Sequence, residues 1–323
     1  MNNPGLNVQE AKAMLNKGVT LGTLNRSEEA ITAYDALIAR FESASDPELQ
    51  VQVAKAMLNK GIRLGTLNRS EDEITAYDAL IARFESASDP ELQIRVAKAM
   101  LNKGITLGTL NHSEEAITVY DALIARFESA SDPELQVQVA KAMLNKGIRL
   151  GTLNRSEEAI TAYDALIARF ESASDPELQV QVARTMLNKG IRLSTLNRSE
   201  EAITVYDALI ARFKSASDPE LQIRVAKAML NKGIRLGTLN RSEDEITAYD
   251  ALIARFESAS DPELQMRVAK AMLNKGITLG TLNRSEDEIT AYDALIARFE
   301  SKRIEELMKL VSTAESIKRI RAI

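Results

Sequence analysis

A unit of 43 residues repeats seven times along this chain, and no other feature of the sequence restricts the fold as strongly. The second copy runs from Asp46 to Ser88 and reads DPELQVQVAKAMLNKGIRLGTLNRSEDEITAYDALIARFESAS. Such a period is typical of solenoid proteins, in which each unit buries its apolar face only against its neighbours. We therefore expect one elongated domain over residues 1–323. The methionine that marks each copy is Met14, Met57, Met100, Met143, Met186, Met229 or Met272.

The first half of each copy has the signals of a helix. In the second copy it begins at Asp46-Pro47-Glu48. Aspartate can accept a hydrogen bond from a free amide of the first turn, proline has a suitable φ for the first helical position, and glutamate favours the positive end of the helix dipole. Apolar residues then recur at helical spacing. The predicted buried stripe is Leu49, Val53, Met57, Gly61 and Leu64.

A second helix follows within the same copy. Asn68 suits the left-handed residue that ends the first helix, and the second helix is expected to start at Ser70. Its predicted buried stripe is Ile74, Tyr77, Ile81 and Phe84. Three copies have a glutamate three residues after this serine, which predicts a capping box. These pairs are Ser70 with Glu73, Ser242 with Glu245, and Ser285 with Glu288.

The first helix of most copies contains two glycines. Gly61 has an equivalent in all seven copies, although glycine inside a helix costs about 1 kcal/mol relative to alanine. We expect the close approach of another helix to compensate for that cost. The second glycine, four residues later, is replaced by Ser194 in the fifth copy, so its position does not require a positive φ.

The order and spacing of several residues resemble the tetratricopeptide repeat (TPR) family. They are Asn59-Lys60-Gly61, Leu64, Leu67-Asn68-Arg69, Ile74 and Tyr77. The period of 43 is longer than the usual ~34, and three copies have glutamate where the family has a small residue. The resemblance implies an all-α, right-handed superhelical α-solenoid of seven TPR-like helix-turn-helix repeats followed by a C-terminal capping helix.

The repeats and the cap can be placed on the sequence directly. Glu10 stands where other copies have Val53 or its equivalent, and a charge at that position is a capping device. At the other end, Leu307 and Val311 continue the apolar positions of a first helix in a basic segment. That segment is either a solubilising cap or a basic surface for a partner or an anionic membrane. The predicted bounds are repeats 3–45, 46–88, 89–131, 132–174, 175–217, 218–260 and 261–301, and cap 302–323.

Composition argues against several classes of function. A net charge of -5 does not suit a general nucleic-acid binder, and one Tyr and one Phe per repeat leave no rings for base stacking. The chain has no cysteine and one histidine, which argues against disulfides and Cys-type metal sites. We find no signal peptide and no apolar run long enough to span a membrane. The expected location is cytoplasmic.

We predict no enzymatic activity and no cofactor. His112 is the one residue that could act as a general base near neutral pH, but it lies in the polar turn Leu110-Asn111-His112-Ser113 without a nucleophile or orienting partner. The segment LGTLNRSE lacks the glycine spacing of a phosphate-binding loop.

One set of polar residues remains as a candidate binding site. Two positions of each first helix, four residues apart, are polar in every copy and therefore share a face of the helix. In TPR folds the first helices line the concave surface, so these residues would form a ladder along it. The candidates are Lys12, Asn16, Lys55, Asn59, Lys98, Asn102, Lys141, Asn145, Arg184, Asn188, Lys227, Asn231, Lys270 and Asn274.

Three interpretations of this Lys/Asn ladder are open. It could be structural, with amides bonding adjacent helices and ammonium groups solvated. It could line a groove for an extended, acidic peptide, or it could be a clamp for a peptide carboxylate. The first hypothesis for the protein is a non-enzymatic scaffold that binds a protein or peptide partner as a monomer. The alternative is a structural or self-assembling repeat, arising from recent duplication or design, without a ligand.

Overall fold

The computed structural model describes residues 4–302 and 304–321, and every regular element in that part of the chain is a helix. First helices of 20 residues alternate with second helices of 14 or 15 residues. The helices are α1 (Pro4–Thr23), α2 (Ser27–Arg40), α3 (Pro47–Thr66), α4 (Ser70–Arg83), α5 (Pro90–Thr109), α6 (Ser113–Phe127), α7 (Pro133–Thr152), α8 (Ser156–Arg169), α9 (Pro176–Thr195), α10 (Ser199–Arg212), α11 (Pro219–Thr238), α12 (Ser242–Arg255), α13 (Pro262–Thr281), α14 (Ser285–Phe299) and α15 (Glu305–Arg321).

The local signals for the first helix are confirmed. The side chain of Asp46 accepts a hydrogen bond from the Leu49 amide at 3.0 Å, and Pro47 occupies the first turn. At the other end, Asn68 has a φ of 57° and separates the two helices of the repeat. The same left-handed residue occurs in all seven copies. These asparagines are Asn25, Asn68, Asn111, Asn154, Asn197, Asn240 and Asn283.

The predicted capping boxes are wrong. The N-cap residue of α4 is Arg69, which makes no side-chain capping bond, and Ser70 is already helical. Glu73 is buried in the interior, where its carboxylate accepts a hydrogen bond from the Tyr77 hydroxyl at 3.0 Å. A glutamate at this position therefore serves side-chain packing between helices. The pairs Ser242 with Glu245 and Ser285 with Glu288 fail in the same way, because Arg241 and Arg284 are the N-cap residues of α12 and α14 and make no side-chain capping bond.

The chain divides into two compact units. One comprises Met1–Leu166 with Ala173–Leu178, and the other comprises Ile167–Ser172 with Gln179–Ile323. In the first unit, α3 contacts α4 of its own repeat, α2 of the preceding repeat, and the neighbouring first helices α1 and α5. In the second unit, α11 and α13 have the same kinds of neighbour. Among the described residues of each unit, no such contact joins two second helices, so the first helices form the continuous layer. The single continuous solenoid and its right-handed twist stay predictions.

The conserved spacing of Gly61 and Tyr77 is explained by a direct contact. A Cβ atom added at Gly61 would lie 2.8 Å from Cδ1 of the Tyr77 ring, closer than real contacts allow. The ring itself is 1% exposed. The glycine thus lets α4 approach α3, as the sequence predicts. The equivalent pairs are Gly18 with Tyr34, Gly104 with Tyr120, Gly147 with Tyr163, Gly190 with Tyr206, Gly233 with Tyr249, and Gly276 with Tyr292.

The predicted apolar stripes are confirmed for the first helix and partly for the second. Five of the seven marker methionines are buried, while Met14 and Met143 are half-buried. On α4, Tyr77 and Phe84 are buried as predicted, but Ile74 and Ile81 are only half-buried. The fully buried aliphatic residue of this helix is Leu80, which the stripe omitted.

The least repetitive segments have polar substitutions at packing positions. Glu10 occupies the position of the fully buried Val53 and pairs with Arg40, its Oε2 lying 2.7 Å from Nη2. At the other end, α15 packs against α13 and α14, as a further first helix would. Its Leu307 and Ala314 are fully buried. Both placements agree with the predicted capping roles.

We predict that Gly104→Ala will lower the free energy of unfolding by about 1–2 kcal/mol, because overpacking typically costs about 1–3 kcal/mol and only part of it is recovered from helix propensity. Gly108→Ser, one turn later on α5, is the matched control because the fifth copy already has Ser194 there. It should change stability by less than about 0.5 kcal/mol. Urea unfolding followed by circular dichroism measures both, and equal losses would contradict the contact.

Candidate functional site

Open pockets occur on the exposed side of the first helices. One lies where α3 and α4 meet α5, has a volume of 510 Å³, and is lined by Ile62, Ile105, Tyr77 and Asn102. Ile105 is 43% exposed, so part of its aliphatic side chain is open to solvent at the pocket. We call this arrangement a junction pocket, since it forms where two helices of one repeat meet the first helix of the next.

The second unit has a junction pocket of the same composition. It lies where α9 and α10 meet α11 and has a volume of 230 Å³. Its lining includes Ile191 and Ile234 from the two first helices, with Tyr206 and Asn231 beside them. Ile191 is also 43% exposed. The two pockets show that the surface repeats an aliphatic, amide and phenol pattern.

The asparagine half of the Lys/Asn ladder joins neighbouring repeats. Nδ2 of Asn102 donates to Oη of Tyr77 in the preceding repeat at 3.4 Å, and Asn274 donates to Tyr249 at 3.3 Å. Asn16 is exposed on α1 and Asn188 is half-buried on α9. The same bond is made by Asn59 with Tyr34, Asn145 with Tyr120, and Asn231 with Tyr206.

Burial controls the acidity of these tyrosines. It raises the pKa of Tyr120 to about 12, even though Arg149 and Asn145 act in the opposite direction. Burial likewise raises the pKa of Tyr34 and of Tyr206. The phenols therefore stay neutral at physiological pH and act as hydrogen-bonding groups in the pocket.

The lysine half of the ladder is paired with carboxylates. Five of the six lysines of this set reach the glutamate in the first turn of the next first helix, 36 residues further along the chain. Within the described residues, Arg184 and Lys270 have no carboxylate within 4.0 Å, and burial lowers the pKa of Arg184. The pairs are Lys12–Glu48 at 2.5 Å, Lys55–Glu91 at 2.9 Å, Lys98–Glu134, Lys141–Glu177 at 2.5 Å and Lys227–Glu263 at 2.6 Å.

Two positions that the candidate ladder omits are coupled between neighbouring repeats. When a repeat has alanine at the position of Ala30, the next repeat has arginine at the position of Arg63. When it has glutamate, the next has threonine. This holds for all six pairs of adjacent repeats. The pairs are Ala30 with Arg63, Glu73 with Thr106, Ala116 with Arg149, Ala159 with Arg192, Ala202 with Arg235, and Glu245 with Thr278.

The coupling has a steric cause at the second glycine of the first helix. A Cβ atom at Gly22 would meet Cδ of Arg63 at 3.3 Å, whereas one at Gly65 would meet Oε1 of Glu73 at 2.8 Å. The same space is therefore filled from the next repeat by arginine or from the same repeat by glutamate. The sequence contains this signal, because comparing adjacent copies with each other is enough to find it.

The arginine and the glutamate that occupy this space give the pocket opposite charges. Arg149 donates a hydrogen bond to the Gly108 carbonyl at 2.9 Å, and no described carboxylate lies within salt-bridge distance of it. Glu73 accepts hydrogen bonds from Tyr77 and Thr106, and no described cation pairs with it. Burial raises the pKa of Glu73, while both hydrogen bonds act to lower it. The pKa of Glu245 is raised for the same reason.

His112 lies outside both junction pockets. Nδ1 of His112 lies 3.3 Å from Glu115 in an exposed turn, and both side chains are more than half exposed. No cluster of three or more histidine, aspartate or glutamate side chains suited to a metal occurs in residues 4–302 and 304–321. Among these residues, no helix combines the length and apolar character needed to cross a membrane.

Comparison with known proteins supports the repeat type. Residues 101–176 and residues 11–42 each match a tetratricopeptide repeat. The chain is a tetratricopeptide-type repeat array. No match to the chain was found among curated proteins.

Solved structures show the same fold at low sequence identity. The apo form of RapI is 12% identical with a TM-score of 0.63, over 96% of this chain and 87% of that chain. The apo quorum sensor NprR from B. thuringiensis is 13% identical with a TM-score of 0.51, over 96% and 81%. The signal transduction ATPase PH0952 from Pyrococcus horikoshii, which has a tetratricopeptide repeat sensor, is 13% identical with a TM-score of 0.58, over 98% and 47%. TPR-type helix pairs are therefore the architecture of this array.

We predict a pH effect that depends on Glu73, which is buried, and on Glu245, which is half-buried. Because the folded-state pKa of Glu73 and Glu245 is raised above the ordinary 4.5, their contribution to stability is present below that value and is lost as pH rises through the folded pKa. The stability of the wild type relative to Glu73→Gln/Glu245→Gln should therefore fall as pH increases from about 4.

Urea unfolding at several pH values measures this difference. Glu71→Gln/Glu243→Gln removes two exposed carboxylates from the same helices and provides the control. The stability difference between the wild type and Glu73→Gln/Glu245→Gln is compared with the difference between the wild type and the control variant. If the two differences had the same pH dependence, burial of Glu73 and Glu245 would not raise their pKa.

Proposed function

We propose that this TPR-type array is a non-enzymatic scaffold that binds an extended peptide along the junction pockets of its first helices. The observation that carries the proposal is the pair of isoleucine walls in each pocket, one exposed and one half-buried. The exposed residues are Ile105 and Ile191, and the half-buried ones are Ile62 and Ile234. Apolar side chains exposed at regular intervals beside polar groups are typical of recognition surfaces.

The asparagines suit recognition of a peptide backbone. Asn102 uses one amide hydrogen on Tyr77, which leaves its carbonyl oxygen and a second N–H for other partners. An extended peptide presents both N–H and C=O groups along its length. We therefore assign the peptide-contacting role of the candidate ladder to its asparagines, with Asn102 and Asn231 lining the pockets.

The ladder lysines have a different part in this proposal. Lys98 and Lys141 are each engaged by a glutamate of the next repeat, so their charge is compensated. A preference for acidic peptides therefore depends less on these lysines than on arginines without a carboxylate partner, such as Arg149. The ladder lysines keep neighbouring first helices in register, and exposed ion pairs of this kind each contribute about 0–1 kcal/mol.

Proteins of similar fold include ones described as sensors. NprR from B. thuringiensis is a quorum sensor, and PH0952 contains a tetratricopeptide repeat sensor. These descriptions are consistent with a binding role for this array. The alternative of self-assembly through stacked helices has less support, because Glu10 and Arg40 form an ion pair at a position that is apolar in interior repeats.

We predict that the array selects specific sequences from a phage-displayed library of random peptides, and that Ile105→Asp/Ile191→Asp reduces their affinity at least tenfold. A carboxylate in each pocket would remove the apolar wall and add a solvation cost. Fluorescence anisotropy of the selected peptides measures the affinity.

The control for this experiment is Ala122→Asp/Ala208→Asp. Both alanines are exposed on second helices, away from the two pockets, and the variant adds the same charge. It should bind the selected peptides within twofold of the wild type. Failure to enrich any sequence, or equal affinity in the isoleucine variant, would contradict the proposed function.

A further inference from the structure

The junction pockets of one array differ in charge, although their walls are alike. In the first unit the pocket position has Arg63 between the first and second repeats, Glu73 between the second and third, and Arg149 between the third and fourth. In the second unit, Arg235 is followed by Glu245. The alternative side chains that fill the space beside the second glycine thus set a sequence of charges along each unit.

These charges are not cancelled inside the described protein. Arg63 has a hydrogen bond to the Gly22 carbonyl at 3.3 Å, and no described carboxylate pairs with Arg63, Arg149 or Arg235. Glu73 and Glu245 accept hydrogen bonds from tyrosine and threonine hydroxyls, which are neutral. Most ladder lysines, in contrast, are matched by glutamates. Among the described residues of the ladder, Arg184 and Lys270 have no carboxylate partner, so uncompensated charge lies at these two positions and at the junction pockets.

Two of these charged groups, one of each sign, line a junction pocket. Glu73 and Thr106 line the pocket that has Ile62 and Ile105 as walls, and Arg235 lines the pocket between Ile191 and Ile234. A ligand side chain that enters between the isoleucines therefore meets a carboxylate in one pocket and a guanidinium in the other. Opposite charges at such short range favour a matching partner and disfavour a like-charged one.

Resting on the proposed function, we infer that the preferred partner is an extended peptide with charges of alternating sign in register with the repeats. In the first unit, acidic side chains lie opposite Arg63 and Arg149, and a basic side chain lies opposite Glu73 between them. In the second unit, an acidic side chain opposite Arg235 precedes a basic one opposite Glu245. The affinity of the array for a peptide thus depends on the order of the charged residues along the peptide as well as on their number.

The chain supplies the variants that test this inference. Glu73→Ala/Thr106→Arg installs the combination already present as Ala30 with Arg63. Ala116→Glu/Arg149→Thr installs the converse combination, already present as Glu73 with Thr106. Because each double variant reproduces a pairing that the fold contains, both should keep wild-type helicity by circular dichroism.

The experiment selects random 16-residue peptides by phage display against the wild type and against both double variants. Wild-type peptides should contain basic and acidic residues together. Glu73→Ala/Thr106→Arg should select more acidic peptides and bind the wild-type peptides at least tenfold more weakly. Replacing the peptide's basic residue by glutamate should weaken binding to the wild type and strengthen binding to this variant. Ala116→Glu/Arg149→Thr should shift the selection toward basic peptides.

The outcomes separate this inference from the proposed function. All three proteins could select the same peptides with affinities within twofold, while Ile105→Asp/Ile191→Asp abolishes binding. That result would contradict the inferred charge order and support the proposed peptide-binding function. If the wild type selected no peptide, both would fall. Selection of uniformly acidic peptides by the wild type would also overturn the alternating pattern.

Discussion

The contact between a tyrosine ring and a glycine inside the first helix is the interaction on which the rest of each repeat depends. The ring of Tyr77 occupies the space that any side chain at residue 61 would need, and its hydroxyl receives the amide of Asn102 from the next repeat. One residue therefore fixes the distance between the two helices of its repeat and the position of the next first helix. A change in the glycine would disturb both relations, which explains why the glycine is present in all seven copies.

The Lys/Asn ladder shows why periodicity alone cannot separate structure from function. Every repeat has to be joined to its neighbour, so residues that make these joints recur as regularly as residues that line a shared binding surface. Lys141 is paired with Glu177, and Asn274 with Tyr249, in the same way as most of their equivalents. Positions that vary between copies are more informative, because the joint does not require one residue type there. One such position is occupied by Thr106 in the third repeat and by Arg149 in the fourth.

Charged side chains of the repeat also make contacts in the first repeat and in α15, some with a new partner and some with the usual one. Arg83 donates to the backbone carbonyl of Glu42 in the preceding repeat at 2.5 Å, and Arg40 pairs instead with Glu10. In α15, Lys318 keeps the ion pair that Lys275 makes with the preceding second helix, now with Asp293. The helix pairs therefore end on charged contacts that use the existing arginines and lysines of the repeat.

The sequence by itself determined the helical elements, their caps at Asp46 and its equivalents, the left-handed Asn68, and the need for close approach at Gly61. These depend on residues near each other in the chain, and seven copies repeat the same signal. Only the tertiary structure decided that Glu73 turns inward to Tyr77, that the ladder lysines are paired, and that exposed isoleucines frame pockets. The ion pairs and the pocket walls depend on contacts between helices about one repeat apart in sequence, and the inward turn of Glu73 depends on the packing of α4 against α3 within one repeat. A helical pattern gives the face on which a side chain lies, but the neighbouring helix determines which atoms that side chain meets.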